Sequence, residues 1–441
     1  MRGAGVFVLS LVVVLLPVLV ADVAAAMCGC MLRPAPRVGE QQAARIINKT
    51  SKVILARQGD TTVLTMANDF EGAPAEFGMV VPVPTVIGRQ DVKIVDDKVF
   101  AWFEEQTAPR VVEVFEPDPC APQMMLESTS ERVAPSIAGA GAPGGLRAAD
   151  FGVKVESHFF AGEYEIAVLS GKDGSGLIRW LQAFHYDIPN DAQRVLESYI
   201  KQKMMFFLAR VHVKEMGTGR RHLRPIQVRY QTPKYMLPIR LGMVNAQGPQ
   251  ELLVFAITPQ GRAEPTNYRS VRVPTGQNLP HFVKSDWTSV YGAIFDEATK
   301  REDMRVVFVE DARFLPPTPE LDKAGALFAP GQGGAFATRL HFRYDEAHFP
   351  EDLVLQSTND QTPFHVMFSA VAPASSTCAA NSGAPARRAR EQQTLANLTG
   401  WPMDKVLERV GENAVPPSSP PPSPPPSPPP PKESWWERIW K

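Results

Sequence analysis

Residues 251–257, ELLVFAI, are apolar at six consecutive positions. A strand with one wet face alternates apolar and polar residues, whereas an unbroken run belongs to a central strand covered on both faces. Half-buried strands supply its neighbours. Ile226, Val228 and Tyr230 alternate with Gln227 and Arg229, and Phe364, Val366 and Phe368 alternate with His365 and Met367. SKVILAR and TTVLTMAN, joined at Gln58-Gly59-Asp60, read as a β-hairpin. EFGMVVPVPTV is a third apolar run, and Pro82 and Pro84 place it at an edge or a strand end.

Amphipathic helices supply the other layers. GLIRWLQAF sets Leu177, Trp180, Leu181 and Phe184 on one helical stripe. IPNDAQRVLESYIKQK repeats the device with Ala192, Val195, Leu196 and Tyr199, opened by an Asn190/Gln193 capping box and closed by Lys201 and Lys203. Asp96 caps a short helix bearing Val99, Trp102 and Phe103, and Pro109 starts a second through Val111, Val112 and Phe115. Trp287, Val290, Tyr291 and Ile294 form a stripe that leads into the strand MRVVFVE. Met403, Val406, Leu407 and Val410 form the last, between Pro402 and Gly411. Helices scattered among hairpin-like strands predict an α+β fold, mainly antiparallel sheets with several interspersed amphipathic helices.

Both ends depart from this body. Arg2 precedes an apolar run from Val6 to Ala21, Asp22 interrupts it, and Ala24-Ala25-Ala26 offers a small-residue cleavage site. That is the pattern of a signal peptide at 1–26, and the run is shorter than the ~20 apolar residues of a comfortable membrane span. An uncleaved anchor, the alternative, would still place the body outside the cytosol. A body over 27–375 is expected, either single or as two fused lobes (27–190 and 191–375), then a helical extension over 376–414. Residues 416–431 hold twelve prolines in sixteen positions. Such a stretch, the core of a Pro/Ser-rich linker over 415–431, packs no core and extends as polyproline II, roughly 50 Å long. At its tip, 432–441, Trp435, Trp436 and Trp440 lie beside lysine and arginine, a composition at home at a membrane interface or in a partner's groove. Folding back onto the body is the other reading of the tip.

The compartment decides the cysteines. Cys28, Cys30, Cys120 and Cys378 all follow the leader, and an even number in an oxidising compartment predicts disulfides, with three pairings open. Lipidation of Cys28 or Cys30 lacks the usual residues upstream. Zinc would need a longer spacer than Cys-x-Cys and a histidine nearby. The net charge of −1, to which the leader contributes one residue of each sign, excludes the basic excess of a nucleic-acid binder.

No HExxH, G-x-S-x-G, P-loop or EF-hand loop occurs. GKDGSG at 171–176 lacks the Lys-Ser/Thr ending of a phosphate loop and reads as a turn with Asp173 or Ser175 capping the next helix. Asp69, Glu71 and Glu76 crowd one loop, where carboxylates could hold a metal or act as acid and base. A solvated loop is the plainer reading. Arg220, Arg221, His222 and Arg224 make a basic turn. Residues 134–149 form a Gly/Ala/Pro-rich excursion. Asn48 and Asn397 head glycosylation sequons, which would matter only in a eukaryotic secretory pathway.

Several stretches resemble a bacterial family catalogued as domain of unknown function 2330: the segment from SKVILAR to VPVPTV, APRVVEVFEPDPC, GEYEIAVLS, YDIPNDAQRVLESYIKQKMMFFLARV and LRPIQVRYQTPKYMLPIRLGMVNAQGPQELLVFAIT. The resemblance implies an exported bacterial protein with a Cys-Gly pair after its leader. It carries no catalytic residues over. The expectation is a periplasmic or envelope-associated binding or scaffold module, without cofactor, that meets an envelope, membrane-surface or protein partner through its C-terminal tip. A metal-dependent hydrolase using Asp69, Glu71 and Glu76 is the alternative.

Overall fold

The computed structural model describes residues 30–34, 51–67, 78–115, 151–184, 186–188, 192–211, 223–244, 246, 248–325, 333–372, 384–411 and 414–415, with only the main chain at 30–34, 187 and 384. The chain divides into two compact units. Unit 1 comprises Met1–Gln106, Ala138–Ser270 and Met304–Thr362; unit 2 comprises Thr107–Ile137, Val271–Asp303 and Pro363–Lys441. Among the described residues no helix is long and apolar enough to cross a membrane.

Unit 1 stacks two sheets between helices. The larger sheet runs in the order Val306–Leu315, Ala335–Tyr344, Gln250–Thr258, Ser51–Gln58, Thr61–Ala67, Ile226–Gln231 and Val92–Ile94. Its strands pair antiparallel except 250–258, which runs parallel to 51–58. A second sheet runs Val153–Ala161, Tyr164–Gly171, Met205–Val211, Gly78–Val83, Cys30–Pro34 and Tyr186–Asp187. The ELLVFAI strand is covered on both faces. Leu252, Val254 and Ala256 enter a core shared with Val81, Ile166 and Phe207 of the second sheet. Leu253, Phe255 and Ile257 enter another with Val99, Phe100 and Phe103 of the helix Lys98–Thr107. On the far side of the second sheet, Leu177, Trp180 and Leu181 of Gly174–Ala183 and Leu196 and Tyr199 of Ala192–Lys201 pack on Phe206 and Leu208.

Local chemistry fixes these elements as the sequence predicts in most places. Gly59 takes φ +55 in the hairpin turn, a conformation costly for a residue with a Cβ. The Gly176 N–H donates to Asp173 Oδ1 at 2.6 Å, so GKDGSG is a helix cap. Strand 78–83 lies inside its sheet, yet its Pro82 fits the rule for proline. On one side Pro82 pairs with Phe206; on the other, Cys30–Pro34 reaches only Gly78, Met79 and Val80. Beyond Val80 the strand therefore has a partner on one side only, the edge-like setting in which proline is tolerated.

Unit 2 is built differently. Asn278–Pro280, Met367–Ala372 and Arg110–Phe115 form a parallel three-stranded sheet. Here the helix predicted from Pro109 gives way to strand 110–115, because β-branched Val111, Val112 and Val114 find a ready ladder in 367–372. Trp287, at the head of the helix Trp287–Arg301, sits 5.6 Å from the ring of Phe368 and donates from Nε1 to the Pro109 carbonyl at 2.9 Å. The helices Ala384–Thr399 and Met403–Val410 follow, the second ended by Gly411 at φ +66. Gln392 is buried against the next residues. Its side-chain amide is placed to accept from the Val415 N–H at 3.1 Å and donate to the Val415 carbonyl at 2.9 Å. The root of the Pro/Ser tract is thereby pinned to unit 2.

Candidate functional site

The ends of three central strands in unit 1 open into a cleft of about 750 Å³, within the range of ligand sites. Strands 51–58 and 250–258 run the same way and deliver Arg57, Gln58, Pro259 and Gln260 to its rim, while Gly333 and Gly334 lead into the antiparallel strand 335–344. Leu355, Gln356 and Ser357 close it from Leu353–Ser357, the middle strand of a small sheet.

Each lining residue has a physical reason for its pose. Arg57 is buried, and its guanidinium donates to Thr62 Oγ1 at 2.8 Å and to the Thr232 carbonyl at 2.7 Å, with Asp60 and the Pro233 carbonyl at 3.3 Å. It stands 5.7 Å from the centre of the Tyr235 ring, a cation–π distance. The Tyr235 hydroxyl donates to the Leu55 carbonyl, and burial pushes its pKa well above the ordinary tyrosine value. Phe314 is the contrast, with 57% of its surface exposed. Gly334 takes φ +110, and a Cβ there would meet the Phe314 ring at 2.6 Å. Glycine thus lets the ring lie against bare backbone with the rest of the ring open to the cleft.

Among the described residues the lining holds no carboxylate and no imidazole, and the guanidinium of Arg57 is spent on the protein's own groups. What remains is the amides of Gln58, Gln260 and Gln356, the hydroxyl of Ser357 and, beside buried Tyr235, the exposed ring of Phe314. That set offers neutral hydrogen bonds and stacking, and no acid–base pair.

A cluster of ionisable side chains in unit 1 lies elsewhere, in a chain across the larger sheet. Arg339, His341 and Arg343 share one face of strand 335–344. Glu310 accepts from Arg339 Nε at 2.6 Å and meets His341 Nδ1 at 2.7 Å. Glu251 meets His341 Nε2 at 3.1 Å and accepts from Arg343 at 2.9 and 3.0 Å. A bulge between Val309 and Asp311 allows this by turning Glu310 and Asp311, neighbours in sequence, toward the same face. Burial alone would lower the His341 pKa, but the charge of Glu310 and the hydrogen bonds to Glu251 and Glu310 raise it to about 9. Burial likewise opposes ionisation of Glu251, yet His341 and Arg343 hold it at about 2. This chain is a structural lock whose charges satisfy one another.

Most of the residues singled out from sequence are placed against neither feature, because they fall outside the described residues. Asp69, Glu71 and Glu76 lie outside the described residues, as do Cys28, Cys120, Cys378, Arg220, Arg221, His222, residues 134–149, Trp435, Trp436 and Trp440. Cys30 opens a strand, and its side chain is likewise outside them. Arg224, the described member of the basic turn, pairs with buried Glu163 at 2.6 Å. Among the described residues no group of three or more His, Cys, Asp or Glu is placed to hold a metal ion. Sequence reasoning missed the cleft entirely. The signal within reach was the pair Gly333-Gly334 ahead of the strand AFATRLHFRY.

No curated protein matches the chain. Two solved structures of baculovirus P35 align with it. One, a mutated form after caspase cleavage, covers 72% of this chain and 99% of its own at 10% identity and a TM-score of 0.26. The other covers 74% and 98% at 12% identity and a TM-score of 0.25. Likeness at that level transfers neither fold nor function. A family profile is decisive where these are not: it matches residues 22–356, and the chain belongs to that family, described as an uncharacterized protein conserved in bacteria (DUF2330).

Proposed function

We propose that this protein is an exported, non-enzymatic binding module of the bacterial envelope, whose unit 1 cleft takes a neutral oligosaccharide. The lining carries the reading: exposed Phe314 offers a stacking face, and Gln58, Gln260, Gln356 and Ser357 offer uncharged donors and acceptors. A charged ligand would find no free counter-charge there. The signal-like leader at 1–26 supports export, and export supports disulfides among the four cysteines. The expected result with neutral cell-wall and capsular oligosaccharides is saturable binding, which Phe314→Ala weakens by about tenfold. Equal binding by the variant, or preference for neutral peptides over sugars, would overturn the ligand class.

The tail supplies attachment in this reading. Its root is held by Gln392, the Pro/Ser tract would carry the tip roughly 50 Å outward as polyproline II, and Trp435, Trp436 and Trp440 would meet the membrane interface. Deleting residues 416–441 is expected to move the protein from the membrane to the soluble fraction while leaving sugar binding unchanged. Unaltered fractionation would refute the tether.

A further inference from the structure

A second, smaller cavity lies wholly within unit 2, of about 150 Å³. Pro280, Phe282, Val371 and Val410 give it apolar walls, and the helix 384–399 adds a polar side with Arg387, Arg388 and Glu391. At ~30 Å³ for each water-sized group, it holds roughly five such groups.

The charges around it do not cancel. Arg387 Nε donates to Glu391 Oε1 at 3.0 Å, one turn along the same helix. His281 Nε2 meets Glu113 Oε1 at 2.7 Å, and Lys284 pairs with the same carboxylate. Gln392 is engaged with Val415. Arg388 is different: its Nε is buried and has no hydrogen-bond partner. Arg388 as a whole is half-buried, and a buried donor on a charged group is costly to leave unmet, so an acceptor entering the cavity would be favoured at this nitrogen.

We propose that this cavity binds a small organic monocarboxylate, its carboxylate on the Arg388 guanidinium and its apolar body against Pro280, Phe282, Val371 and Val410. One uncompensated cation selects a single negative charge. The apolar walls select an organic acid over an inorganic oxyanion, whose remaining oxygens would lose water without finding donors. The site is independent of the cleft in unit 1, so the two readings stand or fall separately.

The test uses the full-length protein with selectively ¹⁵N-labelled arginine, titrated with propanoate, butanoate and, at matched ionic strength, inorganic phosphate. Propanoate or butanoate is expected to raise the melting midpoint with concentration and to move the Arg388 Nε–H resonance; phosphate should do neither. Arg388→Gln should weaken binding by about tenfold or more, and Val371→Trp, which fills the cavity and leaves the guanidinium, should do the same. Should a variant fail to fold, the Nε–H response of the unsubstituted protein decides. An unmoved resonance, a carboxylate-induced shift that survives both substitutions, or an equal response to phosphate would overturn the proposal.

Discussion

Alanine at position 310 is expected to destabilise unit 1 by about 3–5 kcal/mol, the range for removing one member of a buried ion pair. Glu310 is fully buried and is the acceptor that Arg339 Nε and His341 Nδ1 share. Without it, Arg339 and a protonated His341 stay in the interior short of one negative charge, and His341 keeps only Glu251. Arg339 already carries one terminal nitrogen, Nη1, without a hydrogen bond, and buried Asp311, opposite it in the ladder, is engaged by Arg313. The loss is a large part of the ~5–15 kcal/mol that holds a typical domain together. Replacing Glu310 together with its two partners (Glu310→Leu, Arg339→Met, His341→Leu) should cost far less, because these three buried charges leave together and Glu251 keeps Arg343. Urea unfolding of the three proteins measures both. A loss below about 1 kcal/mol for Glu310→Ala, or a triple variant as unstable as the single, would mean that these charges are not the desolvated cluster described here.

The parts of the fold that were legible in the sequence share a local cause. The unbroken apolar run 252–257 needs cover on both faces and has it, since period-two geometry sends Leu252, Val254 and Ala256 one way and Leu253, Phe255 and Ile257 the other. The stripes at 177–181 and 192–199 were equally clear, because a 3.6-residue period depends on nothing distant. Strand 110–115 reads as a helix from its proline start and the spacing of Val111, Val112 and Phe115, and the partner that decides the matter lies some 250 positions away, Met367 opposite Arg110. The parallel sheet of unit 2 was hidden for the same reason.

The sites were less legible than the fold. The cleft takes its lining from separate stretches between Arg57 and Ser357, so no window of sequence contains it. RLHFRY does show Arg339, His341 and Arg343 in alternation, a visible one-sided basic stripe. Its acidic complement does not alternate, because the bulge at Glu310 breaks the period on which pattern reading rests. In the run RRAR, nothing but packing distinguishes Arg388 from its neighbours.

The same ionic chain sets the pH range in which unit 1 is most stable. His341 is raised from 6.5 to about 9 in the folded protein, so the fold holds a proton that the unfolded chain releases. Its contribution is complete below pH 6.5 and is lost as pH rises through 9, at up to ~1.4 kcal/mol per pH unit. Glu251 is lowered from 4.5 to about 2, and the sign reverses: its contribution is complete above pH 4.5 and is lost as pH falls through 2. Greatest stability is therefore expected between about pH 4.5 and 6.5, with a decline on either side. Other carboxylates also titrate in acid, so the informative quantity is the difference between proteins. Melting midpoints recorded from pH 2 to 10 should lose their alkaline slope between 6.5 and 9 in His341→Gln, while Glu251→Gln should flatten the acid limb. Parallel profiles for the unsubstituted protein and His341→Gln would show that this imidazole titrates alike in the folded and unfolded chains, which its place between Glu310 and Glu251 does not allow.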